Sequence, residues 1–159
     1  IIDETPEGLR IQIVDQQKYS MFPKGEAKPY PHTIKLLEVV TKVVQKLPNK
    51  ISVTGHTDST PYKNQDYGNW ELSVDRANAA RRYMMGFGLG EERVTRVAGK
   101  ADTEPLRPAT PDSEQNRRIS ILLHRSEKSA TPSENGGLKP DSTKAQEAQK
   151  PPAPVKSPA

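Results

Sequence analysis

The chain contains no cysteine, only eight aromatic residues, and no long apolar run. Without Cys there is neither a disulfide framework nor a thiolate metal site, although this absence assigns no compartment. No apolar stretch approaches the ~20 residues that span a bilayer, and no signal peptide is visible. Only 32% of the 159 residues are hydrophobic, and Pro reaches 15. A chain of this length suits one domain, but part of it is not expected to pack. Ile1 stands where a Met would start a chain, so a processed product or a cut fragment is expected.

The formal net charge is +4. Lys and Arg are interspersed with acids, and no tight basic run alternates with aromatics. That pattern describes solvated faces rather than a nucleic-acid surface.

Leu9 to Ile13 alternates apolar and polar residues, as a half-buried strand does. Residues 16–31, with Pro23, Gly25, Pro29 and Pro31, read as a connection that is mobile or switchable, although Met21 and Phe22 within it prefer burial. Ile34, Leu37, Val40, Val44 and Leu47 form a helical stripe over residues 33–47. Leu36, Val39 and Val43 are expected to widen it, and Pro48 stops it. Ile51 and Val53 mark a second strand. A second helix covers about 69–85, with Gly86 and Gly88 suited to its C-terminal end. Residues 94–98 form a third strand and 119–123 a fourth. Strands joined through helices favour parallel neighbours. Residues 127–159 hold six Pro and no aromatic residue, with Leu138 and Val155 as the only sizeable aliphatics, so a disordered tail is expected there.

The second strand ends on Thr54-Gly55-His56-Thr57-Asp58, and the helix that follows carries Arg76. One carboxylate and one guanidinium are thereby brought toward one strand end, a pair suited to a ligand bearing both an ammonium and a carboxylate. Asp58 could instead simply cap the turn that follows it. His56-x-Asp58 invites a metal reading, but His32 and His124 fit no ligand spacing, so no metal is expected and His56 reads as a hydrogen-bonding residue. No Gly-x-Ser-x-Gly elbow occurs, and no catalytic residue is assigned. Met84-Met85-Gly86-Phe87 reads as helix-end packing.

Thr54-Gly55-His56-Thr57-Asp58, then Asn69-x-x-Leu72-Ser73-x-x-Arg76-Ala77, then Asn116-Arg117-Arg118-Ile119, resembles the OmpA-like peptidoglycan-binding domain. Gly8-Leu9-Arg10-Ile11, Asp15-Gln16, Met21-Phe22, residues 69–73, residues 76–82 and Gly99-Lys100-Ala101-Asp102-Thr103 are similar to its flagellar stator branch, the MotB family. The resemblance covers roughly residues 5–125, in the expected order. The loop between Asp58 and Asn69, with Pro61-Tyr62-Lys63, is longer than in many outer-membrane relatives.

The resemblance implies an α/β (α+β) two-layer sandwich with a mixed four-stranded sheet packed against helices. It divides the chain into an N-terminal strand and periplasmic linker region (1–30), a core (31–126, completed by the strand at 8–15) and the tail (127–159). It also implies a non-catalytic module that anchors the flagellar motor stator by holding the diaminopimelate of the peptidoglycan stem peptide. Carried over, Asp58 accepts from the ammonium and Arg76 grips the adjacent carboxylate. Thr57 and nearby amides complete the cradle, and Asn69, Leu72 and Arg117 are further ligand-binding candidates. Core packing is the other reading of Leu72, and helix-start duty the other reading of Asn69 and Ser73. Either Arg117 or Arg118 could face the ligand. Neither Asp58 nor Arg76 is assigned to the core. The implied partners are peptidoglycan, a second copy of the chain, and MotA through a transmembrane helix absent here. The implied location is the periplasm, with the full-length protein anchored in the inner membrane. No cofactor is implied. An outer-membrane OmpA or Pal-type anchor, or a cell-wall hydrolase using Asp58 as base, is the alternative.

Overall fold

The computed structural model describes residues 1–62 and 66–125; the expected tail at 127–159 and Lys63 lie outside the described residues. The elements run β1 (Ile2–Thr5), β2 (Gly8–Val14), α1 (Pro31–Gln45), β3 (Ile51–His56), α2 (Asn69–Gly86), β4 (Val94–Gly99) and β5 (Arg118–His124). The expected α/β sandwich is present, with one strand more than expected: the sheet has five strands in the order β1-β2-β5-β3-β4. β1 is too short to announce itself by periodicity. It pairs antiparallel with β2, from Ile2 opposite Ile11 to Thr5 opposite Gly8.

Among the described residues, parallel neighbours occur only where α2 links β3 to β4. β2 and β3, joined through α1, are not adjacent, because β5 inserts between them, antiparallel to both. The last strand therefore sits at the centre of the sheet. That position explains why every residue of β5 except His124 is buried.

Alternation divides the sheet. Ile11, Ile13, Ile51, Val53, Ile119, Ile121 and Leu123 belong to the core, with Leu37, Val40 and Val44 of α1 and Ala77, Ala79, Ala80 and Met84 of α2. Leu36, Val39 and Val43, expected to widen the α1 stripe, are exposed instead, and so is Leu47, expected in the stripe itself but lying beyond the end of α1. A helix on one side of a single sheet buries only about a third of its circumference, and Thr33 and Thr41 take two of the covered positions. Pro31 opens α1 rather than ending the loop before it, as its fixed φ and missing N–H permit. Gly88, with φ +104°, provides the left-handed turn after α2.

The connection at 16–31 is tied down. Met21 and Phe22 are buried in the core. Met21 N–H donates to Asp15 Oδ1 at 2.8 Å, Thr33 Oγ1 donates to the Met21 carbonyl, and Tyr62 O–H donates to the Gly25 carbonyl.

Two glycines set how α2 meets the sheet. A Cβ on Gly55 would overlap the Ser73 carbonyl, and one on Gly99 would overlap Ser73 Oγ and Val74. Only Gly lets the first turns of α2 settle onto the ends of β3 and β4. Ser73 Oγ then accepts from Ala101 N–H at 3.1 Å, and the Ala101 carbonyl accepts from Thr57 N–H at 2.9 Å.

Candidate functional site

At the end of β3 the chain turns at Thr57 and Asp58, both buried. Asp58 does two jobs. Its Oδ1 accepts from Thr60 N–H at 2.9 Å, closing the local turn, and its Oδ2 accepts from Arg117 Nη1 at 2.6 Å. The turn-capping reading therefore describes Asp58, and its second oxygen is held by Arg117. Thr57 Oγ1 donates to the Asp58 carbonyl, and Asn69 Nδ2 donates to the carbonyls of Asp58 and Thr60. Asn69 is the first helical residue, not the cap. Gly68 precedes it, and the Gly68 N–H is accepted by Glu71.

Arg117 also donates from Nε to Asp15 Oδ2 at 2.8 Å, so it clamps two carboxylates from different strand ends. Burial works against its charge, but the bonds from Asp15 and Asp58 outweigh burial and raise its pKa. Arg118 points to the other face of the sheet. There its Nε donates to Gln12 Oε1 and its Nη2 to the Glu104 carbonyl. Strand alternation thus separates the two arginines: Arg117 stands with Asp58 and Arg118 does not.

Arg76 is 6% exposed and Asp58 7%, which corrects the expectation that neither belongs to the interior. Arg76 packs on the Phe22 ring, 4.9 Å from its centroid. Its Nε donates to the Glu26 carbonyl at 2.9 Å and its Nη2 to the Pro23 carbonyl at 3.2 Å. Among the described residues no carboxylate bonds to it. Burial lowers its pKa and the Arg117 charge adds to that, while Asp15, Tyr67 and Asp58 act in the opposite direction. Arg76 thus shares a field with Asp58 and Arg117 but keeps its own partners. Leu72 is buried one turn before it and offers only van der Waals contact.

Asp15, Phe22 and the carbonyls of Pro23 and Glu26 are the parts that sequence reasoning missed. Asp15 had a signal, an acid at the exit of an alternating strand; the carbonyls had none. His56, expected to hydrogen-bond, has a buried Nδ1 with no partner among the described residues. Its pKa falls to about 3, first through burial and then through Arg118, Lys100 and Arg10. No group of three or more His, Asp or Glu arranged to hold a metal occurs among the described residues.

A sandwich with two helices on one face of a mixed sheet, and a clamped carboxylate beside a buried guanidinium, defines a small α/β domain with a charged cluster at its strand ends. The OmpA family model matches residues 21–118, and the chain belongs to the OmpA family. It is 48% identical to motility protein B of Escherichia coli K12 over 124 residues, 77% of this chain and 40% of that protein. The chain thus spans about two fifths of that relative's length. The periplasmic domain of Helicobacter pylori MotB (residues 97–256) has the same fold, with a TM-score of 0.66 and 20% identity over 80% of this chain and 90% of that one. So does the cell wall anchor of the type VI secretion system from Pseudomonas aeruginosa, with a TM-score of 0.66 and 23% identity over 79% and 87%.

Proposed function

We propose that this chain is a non-catalytic peptidoglycan-binding module that anchors a flagellar stator to the cell wall by holding the diaminopimelate of the stem peptide. The observation that carries the reading is Arg76, a buried guanidinium whose hydrogen-bond partners among the described residues are neutral carbonyls, at the strand end where Asp58 sits. A buried cation without a bonded anion favours an arriving carboxylate. Asp58, held in place by Arg117 and the Thr60 amide, is the acceptor for the neighbouring ammonium. Thr57 and Asn69 fix the turn that presents it. The groups bonded to this carboxylate are an arginine and a backbone amide; an arginine stays protonated and cannot serve as a general acid.

The similarity to motility protein B supports the stator setting. In that setting the module lies in the periplasm, acts as a dimer and meets MotA through an inner-membrane helix outside this sequence. No helix among the described residues is long and apolar enough to cross a membrane.

The test is calorimetric titration with diaminopimelate-type and lysine-type stem peptides. Lysine lacks the carboxylate beside the terminal ammonium. A charge-assisted pair contributes about 1.5–3 kcal/mol, so lysine-type peptide should bind roughly ten to a hundred times more weakly. Arg76→Ala should remove the preference and Asp58→Asn should weaken both ligands, with circular dichroism confirming that each buried-site variant is folded. Equal wild-type affinity for the two peptides would refute the assignment of Arg76.

A further inference from the structure

Beyond Arg76 the same face of α2 runs on into a groove of about 700 Å³, lined by Ala27, Lys28, Pro29, Ile34, Ala79, Arg82, Tyr83, Gly86 and Phe87. Residues 76, 79, 83, 86 and 87 recur at helical spacing, so they share one stripe. The opposite wall is the continuation of the loop whose Pro23 and Glu26 carbonyls hold Arg76. The groove is therefore continuous with the site described above. Its floor is small, at Ala79 and Gly86, and its walls are aromatic and aliphatic. Two exposed cations, Lys28 and Arg82, stand at its rim.

We propose that this groove is a second subsite for the wall peptide, and that Lys28 and Arg82 take the free α-carboxylate of the γ-linked glutamate next to the diamino acid. The proposal rests on the peptidoglycan reading of Asp58 and Arg76. Charge and shape select the occupant: an anionic peptide with small side chains, whose methyl groups suit a floor of Ala79 and Gly86. Reach agrees as well. Arg82 lies six residues after Arg76, a rise of about 9 Å along the helix. The side-chain carboxylate of diaminopimelate and the glutamate α-carboxylate are separated by about eleven bonds, roughly 12–14 Å when extended. A peptide anchored at Arg76 can place its next carboxylate at Arg82 without full extension.

The experiment titrates three probes: diaminopimelate alone, the tripeptide Ala-γ-Glu-diaminopimelate, and the same tripeptide with its glutamate α-carboxylate amidated. Wild type should bind the free-carboxylate tripeptide about three to ten times more tightly than the amidated one, the range for two partly exposed ion pairs. Lys28→Glu combined with Arg82→Glu should abolish or reverse that preference and leave diaminopimelate binding unchanged. Gly86→Leu fills the groove; a Cβ there meets no atom within 4 Å, so the backbone has room for a side chain, and circular dichroism checks that the variant is folded. It should weaken both tripeptides but not diaminopimelate alone. Wild type that binds diaminopimelate yet ignores amidation would overturn the groove assignment and leave the first site standing. Failure to bind any of the three probes would overturn the underlying reading and this one with it.

Discussion

Arg117 and Arg118 are adjacent in the chain and meet opposite surroundings. Arg117 bridges two carboxylates, Asp15 and Asp58, at 2.8 and 2.6 Å. Arg118, on the other face, is buried against an amide oxygen and backbone carbonyls, with Arg10 working against its charge and Glu104 favouring it. The pKa of the first is raised and that of the second lowered, chiefly by burial. A cation clamped by two acids fixes geometry; one among neutral acceptors is tolerated through hydrogen bonds alone. Arg76 resembles Arg118 in its partners but lies in the field of Asp58 and Asp15. Neutral hydrogen-bond partners among the described residues, together with a nearby carboxylate, make Arg76 the centre of the proposed ligand site.

The largest expected effect tests the contrast directly. Arg117→Met strands Asp15 and Asp58 as buried, unpaired charges and should cost about 3–5 kcal/mol. Arg118→Met removes hydrogen bonds to neutral groups, one of which, Gln12 Oε1, is still bonded by Ser120 Oγ. Its cost should be about 1–3 kcal/mol. Urea unfolding at neutral pH measures both, and equal losses would show that the two arginines are held with equal strength.

Acid should act through the Arg118 face. His56 has a folded pKa of about 3, against 6.5 when free, because it is buried among Arg118, Lys100 and Arg10. The unfolded chain takes up the proton first. Stability is therefore fully present above about pH 6.5 and is lost as pH falls from there toward 3. At pH 5 the loss from this group is about 2 kcal/mol. His56→Gln should remove it, so the stability difference between variant and wild type should shift by that amount between pH 7.5 and pH 5. A difference that does not change with pH would remove His56 from the account.

Much of this arrangement was legible in the sequence. The strands at 9–13, 51–54, 94–98 and 119–123 and both helices follow from periodicity, and the Thr57-Asp58 cluster follows from its place at a strand end. Strand order was not, because pairing β5 between β2 and β3 is a long-range choice that no local pattern encodes. The exposed faces of Leu36, Val39 and Val43 were misread because apolar periodicity does not say how much of a helix the sheet covers. Which of Arg117 and Arg118 faces Asp58 needed the register that sets His56 opposite Arg118. The carbonyls that hold Arg76 belong to backbone, and side-chain identity cannot announce them.

The smallest effect separates holding a turn from holding a ligand. Asn69 Nδ2 donates to the Thr60 carbonyl at 3.1 Å and more weakly to Asp58 at 3.4 Å, and part of this contact is open to water. Asn69→Ala should therefore cost only about 0.5–1 kcal/mol of stability. On the opposite face, Ser120→Ala removes one 3.1 Å bond to Gln12, which Arg118 still satisfies, and should cost a similar amount. The two variants part company in binding. Loosening the turn that carries Asp58 should weaken diaminopimelate-type and lysine-type peptides by the same few-fold factor, since both use the ammonium contact and Asn69 does not touch the carboxylate bound by Arg76. Ser120→Ala should leave both affinities unchanged. If Asn69→Ala instead erased the preference between the two peptides, Asn69 would have to be reassigned to the carboxylate side of the site. If Ser120→Ala weakened either peptide, the two faces of the sheet would be coupled rather than separate.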